Sequence, residues 1–212
     1  MAMGVCLSSW LRVGLLVLAV PALFASPALA AGEGKGGAST SAQVKPADPE
    51  QGRSKVLDEL FARLAKAQDA VEAKGVFGAI ERVWMHSGSD TADLLMNRAL
   101  QALQRKDYTL SQELLGSIVE IEPKWAEGWN KRATVRYLAG DAMGAMQDIA
   151  HVLALEPRHF SALSGMGFIL QARGFNARAL EAFRKAQELN PQHTEIRRLV
   201  DKLTLEVEGQ GI

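Results

Sequence analysis

The sequence predicts an all-α fold, a stack of antiparallel helix pairs with about nine helices and no strand. Three observations predict it. Glu122-Pro123, Glu156-Pro157 and Asn190-Pro191 recur at a spacing of 34 residues (157 − 123 = 34 and 191 − 157 = 34). Between these prolines, large apolar residues return at helical spacing and small ones at shared positions, as two closely approaching helices require. Midway through two of the units stands a glycine, Gly140 or Gly174, where one helix must turn back on the next.

The chain begins differently. Val13 to Phe24 is an apolar run preceded by Arg12 and followed by Ala28 and Ala30 in the small-residue pattern of a signal-peptidase site. Residues 1–30 are expected to be a secretory signal, cleaved after Ala30. The alternative is an uncleaved anchor, but the run is too short to span a bilayer as a mature helix. The single cysteine, Cys6, precedes the run, where it cannot serve as a lipoprotein cysteine. A mature chain without cysteine would depend on packing and not on disulfides. Residues 31–54 are rich in Gly, Ala, Ser and Pro, and read as a tether unable to bury enough surface to offset chain entropy.

Residues 55–91 carry two apolar stripes, Val56, Leu57, Leu60, Phe61, Leu64 and Val71, then Val76, Phe77, Ile80, Val83 and Trp84. Gly75 or a neighbour is expected to make the turn between them. The pair reads as a degenerate repeat capping the open end of the stack, with Asp90 or Thr91 opening the next helix. Three units follow at 92–125, 126–159 and 160–193. Residues 194–208, with Ile196, Leu199, Val200, Leu203 and Val207 on one face and charges on the other, close the stack as a capping helix; Thr194 is its candidate N-cap.

In register, Trp129 matches Leu163, and Ala99 matches Ala133 and Gly167. Ser111 matches Ala145 and Ala179; Leu115 matches Ile149 and Phe183; Ile118 matches Val152 and Ala186. This pattern resembles the tetratricopeptide repeat over residues 92–193, more loosely in the first unit, where Lys106 stands for Gly and Ser111 for Ala. The resemblance implies a right-handed superhelical solenoid with the first helices of successive units lining a concave groove. That groove would be lined by Asp93, Met96, Leu100 and Leu103, then Glu127, Asn130, Thr134 and Tyr137, then Ser161, Ser164, Phe168 and Gln171. Asn130 is the strongest single candidate, since an amide can bond both groups of a peptide bond. The resemblance also implies a structural ion pair, Arg132 with Asp148, absent together from the third unit, where Met166 and Ala182 stand. Arg98 faces Leu114 in the first unit, leaving Glu113 as a candidate partner. The alternative makes Arg132 a ligand-binding cation. Family members that clamp a C-terminal carboxylate use Lys, Asn and Arg where this chain has Met96, Leu100, Ser161 and Gly165, so that mode is not expected.

Charge balances at 24 basic and 24 acidic residues, leaving no electrostatic footprint for nucleic acid. No nucleophile elbow, zinc-protease motif or phosphate-binding loop occurs, and Ser164 to Gly167 lies within a helix where packing accounts for it. His159 and His193 occupy the same junction one unit apart and read as punctuation around the prolines, not as metal ligands. No cofactor or metal site is expected. The expected function is a non-catalytic interaction module exported to the cell envelope, in a bacterial periplasm, that binds a peptide segment or helix in the concave groove or associates with itself; the alternative is an accessory subunit or an unrecognised hydrolase.

Overall fold

In a computed structural model, the described residues are 49–209, and the expected signal and residues 31–48 of the tether lie outside them. Among the described residues there are nine helices and no strand: α1 (Pro49–Ala65), α2 (Ala70–Trp84), α3 (Asp90–Gln104), α4 (Tyr108–Ile121), α5 (Ala126–Leu138), α6 (Ala142–Leu155), α7 (Phe160–Ala172), α8 (Asn176–Leu189) and α9 (Thr194–Val207). None of them is long and apolar enough to cross a membrane. The strongest packing is within α3/α4, α5/α6 and α7/α8, followed by α4 on α5 and α8 on α9.

The turns inside the three units use one device. Gly140 and Gly174 adopt φ of +89° and +78°, a region open to glycine because it has no Cβ. Lys106 stands at the equivalent place with φ +59° and accepts the strain of a side chain there. Asp107 and Asp141 then cap the second helices, accepting the backbone N–H of Leu110 and Gly144. Phe175 replaces this aspartate in the third unit, and α8 has no side-chain cap.

Several boundaries differ from the sequence reading. α1 starts at Pro49, inside the stretch read as tether, because proline suits the first helical turn and Glu50 complements the helix dipole. Gly75 lies within α2, and the turn falls just before Asp69, which caps α2 by accepting from Val71 and Glu72 N–H. Val71 is consequently 82% exposed and no part of the apolar stripe. α3 opens at Asp90, one of the two expected residues, with Ser89 as its cap, whereas His193 caps α9 in place of Thr194.

The larger correction concerns the α1–α2 hairpin. It does not stack on α3 as a further unit; α2 and α3 are no packed pair, whereas α1 reaches α8. The hairpin lies along the junctions between units instead. Trp125 Nε1 donates to the Trp84 carbonyl at 2.7 Å, and the Trp84 ring stacks on His159 with centroids 4.1 Å apart. Phe77 meets Phe160 edge-on, Arg158 pairs with Asp58 at 2.7 Å and covers the Phe61 ring, and Gln192 Nε2 donates to the Ala67 carbonyl. Large rings at the junction positions 125, 159 and 160 give the hairpin apolar surface to cover, which a polar junction would not.

Candidate peptide-binding groove

The first helices of the second and third units, α5 and α7, enclose a cavity of about 280 Å³. Asn130, Thr134 and Tyr137 reach it from α5, and Ser161, Gly165 and Phe168 from α7, over a floor of Ala133, Ile149, Ala162 and Ile169. Helical spacing explains the lining, since residues three and four apart share a face. Gly165 keeps the cavity open: a Cβ there would meet nothing closer than Ile149 Cδ1 at 3.7 Å. No lining residue is charged.

Five of the expected groove residues, Asn130, Thr134, Tyr137, Ser161 and Phe168, line this cavity; the others do not. Met96 is buried in the core between α3 and α4, with Leu100 and Leu103 packed against the same cluster. Asp93 is occupied at the start of α3, accepting from Ser87 N–H and Oγ and bonding His86 Nδ1 at 2.8 Å. Burial alone would raise the Asp93 carboxyl, but the Ser87 hydrogen bonds and His86 hold it below its ordinary value. Ser164 is buried with its hydroxyl donating to the Phe160 carbonyl, and Gln171 lies outside the lining. These residues share the helical face named by the repeat register, but neighbouring helices cover it in the first unit.

Glu127 is the most informative departure. It is 4% exposed and does not line the cavity. Its Oε2 accepts from Asn130 Nδ2 at 3.0 Å and bonds His159 Nε2 at 2.9 Å, while Oε1 meets Lys131 Nζ at 2.8 Å. Burial alone would push this carboxyl up; the His159 hydrogen bond, then the charge and hydrogen bond of Lys131, hold it below the ordinary glutamate value. His159 is fully buried, and its Nδ1 accepts the Ala162 N–H, capping α7. The junction residue read as punctuation is therefore also the link between the groove and Trp84. Its sequence signal was the coincidence of a histidine at an N-cap position with a glutamate one unit earlier on α5.

Arg132 and Asp148 join α5 to α6 through two hydrogen bonds, 2.9 Å from Nε and 2.7 Å from Nη2. Arg136, missed in the sequence, adds a contact to the same carboxylate at 3.0 Å. The Arg132 guanidinium also lies over Trp129, so it is engaged on both its edge and its face. Arg98 is exposed, and no ion pair joins it to Glu113 among the described residues.

A second cavity, about 900 Å³, lies between the α1–α2 hairpin and the α4–α5 junction, with Val56, Leu60, Val83 and Trp125 among its apolar lining and Arg53, Arg82 and Lys124 among its charged lining. No sequence pattern signals it, because it exists only where the hairpin crosses the junctions.

No family model matches the chain. The chain is 35% identical over 153 residues to a TPR repeat-containing protein of Rhizobium etli, covering 72% of this chain and 75% of that protein. Among solved structures, it is similar to the first TPR of Spaghetti bound to an HSP90 peptide (TM-score 0.54, 18% identity, 57% of this chain and 98% of that one). It is also similar to the Sgt2 TPR domain of Aspergillus fumigatus (TM-score 0.53, 21% identity, 57% of this chain and 81% of that one). An all-α array of helix hairpins with a cavity between successive first helices defines a helical-repeat protein. The chain belongs to the tetratricopeptide repeat family.

Proposed function

We propose that this protein is a non-catalytic adaptor that binds an extended peptide segment in the groove between α5 and α7, and that it works after export to the cell envelope. The observation that carries the reading is the uncharged cavity of about 280 Å³, apolar below and bordered by the amide and hydroxyls of Asn130, Thr134 and Ser161. The peptide carried by a structural neighbour, the first TPR of Spaghetti, supports the same mode of use. The terminal-carboxylate mode is disfavoured, since Met96 is in the core and Ser161 and Gly165 supply no cation. Export rests on the apolar run Val13 to Phe24 with Ala28 and Ala30 behind it.

The test is selection of binders from a displayed library of dodecapeptides, followed by resynthesis and calorimetry. Gly165→Leu, which fills the cavity, is expected to weaken the selected peptides at least about tenfold, the scale of one lost apolar anchor. Binding unchanged in Gly165→Leu would overturn the groove. Mass spectrometry of the native chain tests export: an N-terminus at Ala31 supports it, and a retained Met1 refutes it.

A further inference from the structure

Resting on the groove reading, we infer that Glu127 determines specificity by setting the direction of the Asn130 amide, so that the groove offers a hydrogen-bond acceptor to a backbone N–H inside the ligand. His159 Nδ1 accepts the Ala162 N–H at 3.3 Å, which places the ring proton on Nε2. Nε2 therefore donates to Glu127 Oε2 at 2.9 Å. Lys131 holds the other oxygen at 2.8 Å. A carboxylate held in this way can only accept, and Asn130 must turn its nitrogen toward it, the contact being 3.0 Å. An amide turned the other way would set oxygen against oxygen in a buried site, with no compensating bond.

Asn130 lines the cavity, so the amide edge left for a ligand is led by its oxygen. The neighbouring Thr134 hydroxyl does not offset this. Thr134 Oγ1 already donates to the Asn130 backbone carbonyl at 3.0 Å. Glu127 is already paired with Lys131, and no cation lines the wall to hold an incoming carboxylate. The ligand chemistry this fits is an internal peptide segment, an N–H beside an uncharged apolar side chain, and not a chain terminus. Trp84 stacks on His159 from the other side, so the α1–α2 hairpin holds the ring that holds the carboxylate.

The test uses the selected dodecapeptides, resynthesised with each backbone N–H in turn replaced by an ester oxygen. In the wild-type protein one ester position is expected to lose about tenfold in affinity, and the others little. Asn130→Ala and Glu127→Leu should each remove the difference between amide and ester at that position, and the double variant should remove no more than either. A merely structural Glu127 would weaken amide and ester ligands alike and leave their ratio intact, which would overturn the proposal. Side-chain amide NMR of wild-type Asn130 gives a second measurement that needs no variant to fold. Its Nδ2 protons should stay bonded to Glu127 when peptide binds, and their transfer to the ligand would equally overturn it. Loss of binding in Gly165→Leu together with a flat ester scan would leave the groove standing and sink this inference alone. Absence of any cavity-dependent binder would sink both.

Discussion

The hairpins α5/α6 and α7/α8 share one backbone design and are held together by opposite chemistry. In the first, Arg132 reaches across to a fully buried Asp148, and Arg136 joins it. In the second, the equivalent positions are Met166 and Ala182, and the helices close over Phe183, which has no exposure at all. The small residue facing that ring differs accordingly. Ala133 suffices opposite Ile149, whereas a Cβ on Gly167 would lie 2.5 Å from Phe183 Cε1. A repeat register thus prescribes where two helices must touch, and leaves open whether charge or volume makes the contact.

The largest expected effect is on the volume side. Phe183→Ala should destabilise the protein by about 4 kcal/mol through lost burial and the cavity left behind. Gly167→Ala alone should cost about 2 kcal/mol by overpacking. Combining Gly167→Ala with Phe183→Ile installs the Ala133/Ile149 pairing of the neighbouring unit and should recover part of that loss. Urea unfolding followed by circular dichroism measures all three. If the double variant were no more stable than Gly167→Ala, the two hairpins would not be interchangeable in packing.

On the charge side, Asp148→Ala should cost about 3 kcal/mol, because it strands Arg132 and Arg136 beside a buried site. Replacing Arg132 by Met together with Asp148 by Ala copies the third unit and should cost clearly less than Asp148→Ala alone. Equal losses would mean that Arg132 and Asp148 do not stabilise the fold through one another.

Legibility in the sequence followed the same division. The prolines at 34-residue spacing, Gly140 and Gly174 gave the helix pairs and their turns, because those residue types answer to backbone geometry that a single chain position determines. The Arg132–Asp148 contact could be anticipated from the register of the family. Where the register met tertiary packing, it was insufficient. Met96, Glu127 and Ser164 occupy groove-facing positions by count and are buried by neighbours that the count does not include. The α1–α2 hairpin has stripes that resemble a repeat, and on their own they point to a cap. Its true site depends on Trp125, His159 and Phe160 meeting Trp84 and Phe77, contacts between segments tens of residues apart.

Acid should separate the two hairpins at smaller amplitude. Glu127 on α5 has a carboxyl held below its ordinary value, whereas the matching position on α7 is Ser161. A depressed carboxyl contributes stability that is complete above the unfolded value, about 4.3 for glutamate, and is lost as pH falls through the lower folded value. Glu127→Gln should therefore flatten the decline in urea midpoint below about pH 4.3 relative to wild type. Parallel declines in the two proteins would show that this carboxylate does not titrate with folding.

The smallest effect concerns the turn in which the first unit departs from the other two. Lys106 holds φ +59° where Gly140 and Gly174 hold +89° and +78°. A side chain in that region costs about 1 kcal/mol, which Lys106→Gly would relieve. Glycine also gives the unfolded chain more freedom, which offsets roughly half of that gain. The net expectation is a stabilisation of about 0.5 kcal/mol, read as a higher urea midpoint at unchanged slope. Gly140→Ala, the reverse change in the neighbouring unit, should destabilise by about 1 kcal/mol, since a Cβ there meets no atom and the penalty is conformational alone. A midpoint that falls in Lys106→Gly would mean that the lysine side chain makes a stabilising contribution larger than its backbone strain, and the turn of the first unit would then differ from the others in energetics as well as in residue type.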